Sequence, residues 1–117
     1  MENWKQYRDE IAARVREIRV ANPDLVKAYA EFSHANAKST HLDAKTRELI
    51  GIAVAVTLRC DGCINAHTEG AVKAGASKEE VTDALGVAIM VNAGAAMVYS
   101  ARAIDAFDTH KPKPEQT

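Results

Sequence analysis

Trp4, Tyr7, Ile11, Val15 and Ile18 recur at steps of three and four, with Arg, Glu and Lys between them, which is the pattern of an amphipathic helix. Asn22-Pro23 ends this helix and opens the next, because proline suits the first helical position behind an asparagine cap. The second helix carries Leu25, Tyr29 and Phe32 and fades in the polar stretch His34 to His41. Asp43 then caps a third helix from about Ala44 to Leu58. From Leu49 to Leu58 it is apolar on nearly every side, so it is expected to be the most buried element. Arg59 to Gly62 is a break, and a fourth helix runs from the cysteines to about Lys73, stopped at Gly75. Ser77-Lys78-Glu79-Glu80 reads as a capping box that launches an apolar-rich segment to Phe107, with an interruption expected near Asn92-Ala93-Gly94. No segment alternates as a strand would, and the fold class is all-α. One domain is expected over residues 1–109, followed by a disordered tail over 110–117 that holds two prolines.

Composition narrows the possibilities. A chain of 117 residues and 12.7 kDa is long enough for one core and too short for two. Fifteen Lys and Arg against sixteen Asp and Glu leave a net charge of -1 and no basic stripe, so nucleic acid and anionic membrane are not expected partners. The polar N-terminus lacks the apolar centre of a signal peptide. Leu49 to Leu58, read as the longest apolar run, is about half a bilayer span, so no membrane association and a cytoplasmic location are expected. Ala84 to Ala106 is crowded with Ala and Gly, which let helices approach closely. The third and fifth helices carry more apolar surface than one small domain hides, which points to a homo-oligomer.

The chemistry concentrates at Cys60-Asp61-Gly62-Cys63, followed by His67. These are the only two cysteines of the chain, and three residues apart at the start of a helix they are able to close and reopen a disulfide. A helix N-terminus favours the thiolate, the reactive form of cysteine, whereas the charge of Asp61 opposes it. In a reducing compartment such a pair is expected to be catalytic, redox-sensing or metal-binding. Cys63 and His67 are four apart on one helix face. Cys60 lies nearer the helix mouth and is expected to be the more exposed thiol. Glu48 stands at the threshold of the apolar run, where partial burial would raise its carboxyl pKa and suit it to acid/base work. The plainer reading of Glu48 is a surface pair with Lys45 or Arg47. Zinc is the competing use of Cys60, Cys63, His67 and Glu48, although the second distant cysteine pair usual in structural zinc sites is missing. Haem attachment requires histidine directly after the second cysteine, where Ile64 stands.

The stretch Leu42 to Ile50, then Ala53-Val54-Ala55, then Cys60 to His67 resembles the alkylhydroperoxidase AhpD-like family of the carboxymuconolactone decarboxylase superfamily. A glutamate twelve residues before the CxxC and a histidine four after it match that family's signature in order and spacing, and Leu85 to Ala106 resembles the remainder of its domain. The resemblance implies an AhpD-like helical domain, here a single repeat, that assembles as a homotrimer or homohexamer. It implies reduction of hydroperoxides or disulfides, with Cys63 as the attacking thiolate, Cys60 as the resolving thiol and Glu48 and His67 as a proton relay. It calls for no cofactor and no metal, only an external dithiol reductant, which in one peroxidase branch is a lipoyl-bearing protein. That branch has a second histidine directly before the second cysteine, where this chain has Gly62, so a slower or differently tuned thiol is expected. A dithiol redox sensor or metal-binding module is the alternative. A lactone decarboxylase is a further one, disfavoured because that branch generally lacks the CxxC.

Overall fold

The computed structural model describes residues 1–38 and 41–114, and within them the chain forms five α-helices. In order they are α1 (Trp4–Ala21), α2 (Pro23–Ala37), α3 (Ala44–Leu58), α4 (Asp61–Lys73) and α5 (Lys78–His110). The caps fall where the sequence puts them. Asn22 Oδ1 accepts from the Leu25 amide with Pro23 at the first helical turn, Asp43 Oδ1 accepts from the Thr46 amide at 2.7 Å, and Ser77 and Glu80 close a reciprocal capping box. Helix α4 stops through Gly75, whose φ of 81° turns the chain away, with the Ala76 amide donating to the Ala71 carbonyl.

The α3–α4 turn is tighter and less expected. Arg59 adopts φ 54°, a left-handed conformation that costs a non-glycine residue about 1–2 kcal/mol. Its amide donates to the Val56 carbonyl, and the Cys60 amide donates to Ala55. This is a Schellman arrangement with arginine in the position glycine usually takes. Two residues therefore reverse the chain and lay α4 back along α3, with the CxxC at the bend.

Helix α3 is the hub: α4 packs on one side of it and α5 on another, while α1 packs on α2 and α4. Ile52 and Ala55 of α3, Ala71 of α4 and Ala88 of α5 form the buried core. The reading of α3 as the most buried element holds in that two of these four belong to it, yet Ile50, Val54 and Leu58 along its outer ridge are exposed. The expected interruption at Asn92-Ala93-Gly94 does not occur, and α5 runs unbroken for 33 residues. Asn92 turns its amide group outward instead, donating to Thr57 Oγ1 on α3 at 2.9 Å and to the Ala88 carbonyl of its own helix. One helical glycine, Gly94, costs only about 1 kcal/mol relative to alanine, too little to break an alanine-rich helix. His110, placed in the tail by the sequence reading, is the last residue of α5, and residues 115–117 of that tail lie outside the described residues.

Alone, the chain is not compact. Its accessible surface is 9900 Å², against about 6,200 Å² for a folded monomer of this mass. Its radius of gyration is 21.0 Å, against about 13 Å for a globular domain of this length. Large apolar side chains stand exposed on α2 and α5, including Tyr29, Phe32, Met97, Val98 and Phe107. By length and composition α5 is also apolar enough to cross a bilayer. This corrects the expectation that no segment approaches that length: residues 84–101 contain no charged side chain.

Ion pairs fix the helix ends. Lys45 Nζ lies 2.8 Å from Glu80 Oε2 and ties the start of α3 to the start of α5. That hydrogen bond, with the Ser77 amide, holds the Glu80 carboxyl below its ordinary value, and Glu80 in turn raises Lys45. The Thr46 hydrogen bonds lower Asp43, and Lys73 lowers Glu69. Carboxyls lowered by folding leave the native state with fewer bound protons than the unfolded chain in acid, so their contribution is present above the ordinary carboxyl pKa and lost as pH falls through the folded value. The raised Lys45 works at the other end, its contribution lost as pH climbs beyond 10.5. The urea midpoint is expected to fall as pH drops below about 4.5. Lys45→Met should flatten both limbs of the pH–stability curve, and limbs as steep as the wild type's would contradict this account.

Candidate active site

Cys60 is the N-cap of α4, and its Sγ accepts the Cys63 amide hydrogen at 3.2 Å. Cys60 and Cys63 are joined by a disulfide, with Cα atoms 5.2 Å apart, within the usual range for such a bridge. Both residues are half-buried, so Cys60 is not the markedly more exposed thiol the sequence suggests. Its sulfur folds back over the first turn of α4 and does not project from it. Asp61 is the first residue of the helix and faces solvent.

One turn beyond Cys63, His67 Nδ1 lies 2.8 Å from Glu48 Oε2 on α3. An ionised carboxylate only accepts, so the Nδ1 hydrogen is donated to Glu48 and Nε2 is left as the basic nitrogen of the ring. Glu48 and His67, nineteen residues apart in sequence, are thus brought together by the α3–α4 reversal. Their side chains are 30% and 41% exposed, which leaves the pair reachable by a small molecule. Of the two cations in the plainer reading of Glu48, Lys45 and Arg47, Lys45 lies instead 2.8 Å from Glu80.

Two residues that the sequence reading passed over make this pairing possible. A Cβ at Gly51 would lie 2.6 Å from His67 Nδ1, and a Cβ at Gly70 would lie 2.5 Å from Glu48 Cδ. Gly51 is three residues after Glu48 on α3, and Gly70 three after His67 on α4. Each helix therefore presents one of the two paired side chains and, one turn on, the gap that receives its neighbour's. The signal was present as two matched spacings, Glu48-x-x-Gly51 and His67-x-x-Gly70, which only the pairing of the helices makes meaningful.

Cys63 and His67 line one cavity of about 420 Å³ with Leu42, Arg47, Ile50 and Val54; Cys60 does not reach it. Arg47 Nη1 also donates to the Ala37 carbonyl at 3.1 Å, holding the end of α2 over the cavity. At Gly62, where one branch of the resembled family has histidine, an added Cβ would meet only Tyr7 Oη at 3.9 Å, so the position is open to a side chain. Among the described residues no group of three or more His, Cys, Asp and Glu is placed to hold a metal ion. Chemically, the site offers a dithiol–disulfide pair, a histidine oriented by a carboxylate and a mainly apolar cavity that admits Cys63.

The glycine gaps can be tested without reference to any reaction. Alanine is favoured over glycine inside a helix by about 1 kcal/mol, and the carboxylate at Gly70 is the free end of a flexible side chain. Gly70→Ala is therefore expected to melt no lower than the wild type while displacing Glu48 from His67. Its imidazole 15N resonances should then match those of Glu48→Ala, whereas wild-type resonances in a folded Gly70→Ala protein would show that the gap is not needed.

Comparison with known proteins identifies the family to which this fold belongs. The profile of the Carboxymuconolactone decarboxylase family matches residues 23–106. An uncharacterized protein of Haemophilus influenzae is 49% identical over 109 residues, covering 93% of this chain and 96% of its own. An uncharacterized protein encoded in the cox locus of Paracoccus denitrificans is 39% identical over 67 residues, covering 57% and 60%. Among solved structures, the apo form of a carboxymuconolactone decarboxylase family protein from Legionella pneumophila superposes with a TM-score of 0.73 at 32% identity, over 93% of this chain and 97% of that one. With its all-helical fold and its CxxC at the α3–α4 bend, this chain belongs to the carboxymuconolactone decarboxylase family, on its AhpD-like side.

Proposed function

We propose that the protein is a thiol-dependent oxidoreductase that reduces hydroperoxides, or disulfides, through Cys63 and Cys60. The observation that carries this reading is that Cys63 shares its cavity with His67, whose ring is held by Glu48 at 2.8 Å. The reduced Cys63 thiol gives its proton to His67 and attacks the outer oxygen of a hydroperoxide. The O–O bond breaks, the sulfur becomes a sulfenic acid and the leaving alkoxide takes the proton back from His67 to depart as an alcohol. Cys60 then attacks the Cys63 sulfur, water leaves and the disulfide forms.

Recycling needs two electrons from an external dithiol, which is the partner this reading calls for. Its thiolate attacks Cys63 from the cavity and Cys60 leaves as a thiolate; the second sulfur of the dithiol then displaces Cys63 from the mixed disulfide, so the dithiol departs oxidised and both cysteines are reduced. A sulfur at the mouth of α4 that already accepts the Cys63 amide hydrogen suits the departure of Cys60, because the helix N-terminus stabilises the negative charge. The two cysteines therefore differ in role by environment: one is reachable from the cavity, the other is held on the helix N-terminus. The open position at Gly62 fits the expectation of a thiol less strongly activated than one flanked by a second histidine.

Peroxide consumption with a dithiol reductant tests the assignment. Cys63→Ser should abolish turnover. Cys60→Ser should consume one equivalent of peroxide and then stall at the sulfenic acid, detectable with a dimedone-type probe. Glu48→Gln should slow the first step by about 10²-fold, the usual worth of an oriented acid/base partner. Full turnover by Cys63→Ser would refute the role of that thiol.

A further inference from the structure

Tyr7 of α1 brings a phenol hydroxyl to the first turn of α4. Its Oη lies 3.9 Å from where a Cβ at Gly62 would stand, and Gly62 belongs to the CxxC itself. Tyr7 and Gly62 line one groove of about 410 Å³, on a different face of α4 from the cavity of Cys63 and His67. The tyrosine is firmly fixed there. Asn3 caps α1, its carbonyl accepting from the Tyr7 amide at 2.8 Å. Asn65 of α4 donates through Nδ2 to the Trp4 carbonyl at 2.7 Å, and the Trp4 ring meets Tyr7 edge-on with centroids 6.2 Å apart. One residue further on, Arg8 lies 3.5 Å from Glu69. Helix α1 is thus fastened to α4 on both sides of Tyr7, which is half-buried between them. A tyrosine packed in this way usually has its O–H paired. Among the described residues, however, no protein group bonds to Tyr7 Oη.

We propose that Tyr7 belongs to the redox site, and that its hydroxyl donates to the Cys60 thiolate when the disulfide opens. As N-cap, Cys60 folds its sulfur over the first turn of α4, the turn that contains Gly62 and that Tyr7 faces. In the disulfide that sulfur is uncharged and a weak acceptor, whereas a thiolate takes short, charge-assisted hydrogen bonds. The phenol therefore gains its partner only in the reduced protein, where it joins the Cys63 amide as a second donor to Cys60. The hydrogen stays on the phenol oxygen, because an ordinary tyrosine pKa of about 10 lies above a thiol's of about 8.5. Neighbouring charges do not do this work. Arg59 and Asp61 flank Cys60 with opposite signs, Arg8 and Glu69 pair with each other, and Glu48 and His67 pair on the side facing α3. A thiol lowered in pKa leaves a disulfide faster. Faster departure of Cys60 during recycling rests on the thiol reading above; the bond from Tyr7 to the thiolate does not.

Tyr7→Phe keeps the ring against Trp4 and removes only the hydroxyl. In a Cys63→Ser background Cys60 is the one remaining thiol, and the pH profile of its alkylation by iodoacetamide reads its pKa. Adding Tyr7→Phe is expected to raise that pKa by about one unit, a tenfold change and the scale of a hydrogen bond to a charged group. With both cysteines present, the Tyr7→Phe disulfide should also be reduced more slowly by dithiothreitol. A Cys60 pKa that does not move would overturn the proposal, and lost thermal stability with that pKa unmoved would make Tyr7 a packing residue only. A raised pKa in a protein whose wild type ignores hydroperoxide would uphold Tyr7 and sink the peroxidase reading. An unmoved pKa beside normal hydroperoxide turnover would do the reverse. Should Tyr7→Phe fail to fold, tyrosine labelled with 13C at the ζ carbon decides in the Cys63→Ser protein, with the exposed Tyr29 and Tyr99 replaced by Phe. The Tyr7 resonance must then move as Cys60 titrates, and a resonance indifferent to that titration would refute the hydrogen bond.

Discussion

The contact between Glu48 and His67 places more constraints on this molecule than any other. A hydrogen bond of 2.8 Å between side chains on two packed helices requires each helix to give way where the other's side chain enters. Gly51 and Gly70 supply that room, and the α3–α4 reversal supplies the register. A left-handed Arg59 at the bend is strained for a non-glycine residue, and it stands directly beside the CxxC. Turn, gaps and paired side chains form one unit that fixes where Cys63 faces.

Around that unit the fold is economical. Helix α3 carries Glu48 and Gly51 on the side facing α4 and Thr57 towards α5, where Asn92 bonds to it. Among the described residues only four apolar side chains are buried, three of them alanines. So thin a core supplies little hydrophobic stabilisation at about 25 cal/mol per Å² of buried apolar surface.

Local signals in the sequence were legible because they act over three or four residues. The Asn22-Pro23 boundary, the Asp43 cap and the Ser77–Glu80 box are each decided by neighbouring atoms and stand where the sequence placed them. Asn92 was misread as an interruption because its partner, Thr57, is thirty-five residues away and lies on another helix. The pairing of Glu48 with His67 was suggested by resemblance, while the distance between them depended on packing that no short-range pattern encodes. Gly51 and Gly70 were overlooked for the same reason: a helical glycine has meaning only once the facing side chain is known. The apolar stretch of residues 84–101 is diluted by Ala, Gly, Asn92 and Ser100, so it reads as less hydrophobic than the shorter, denser run in α3.

Everything proposed for this site turns on whether Cys60 and Cys63 work as a redox pair. The most direct test is a free-thiol count with intact mass on the fully reduced protein, before and after one equivalent of an organic hydroperoxide. The account predicts rapid loss of both thiols and a mass lower by two hydrogens, the signature of sulfenic acid formation followed by resolution to the disulfide. Thiols and mass unchanged by the hydroperoxide would contradict it.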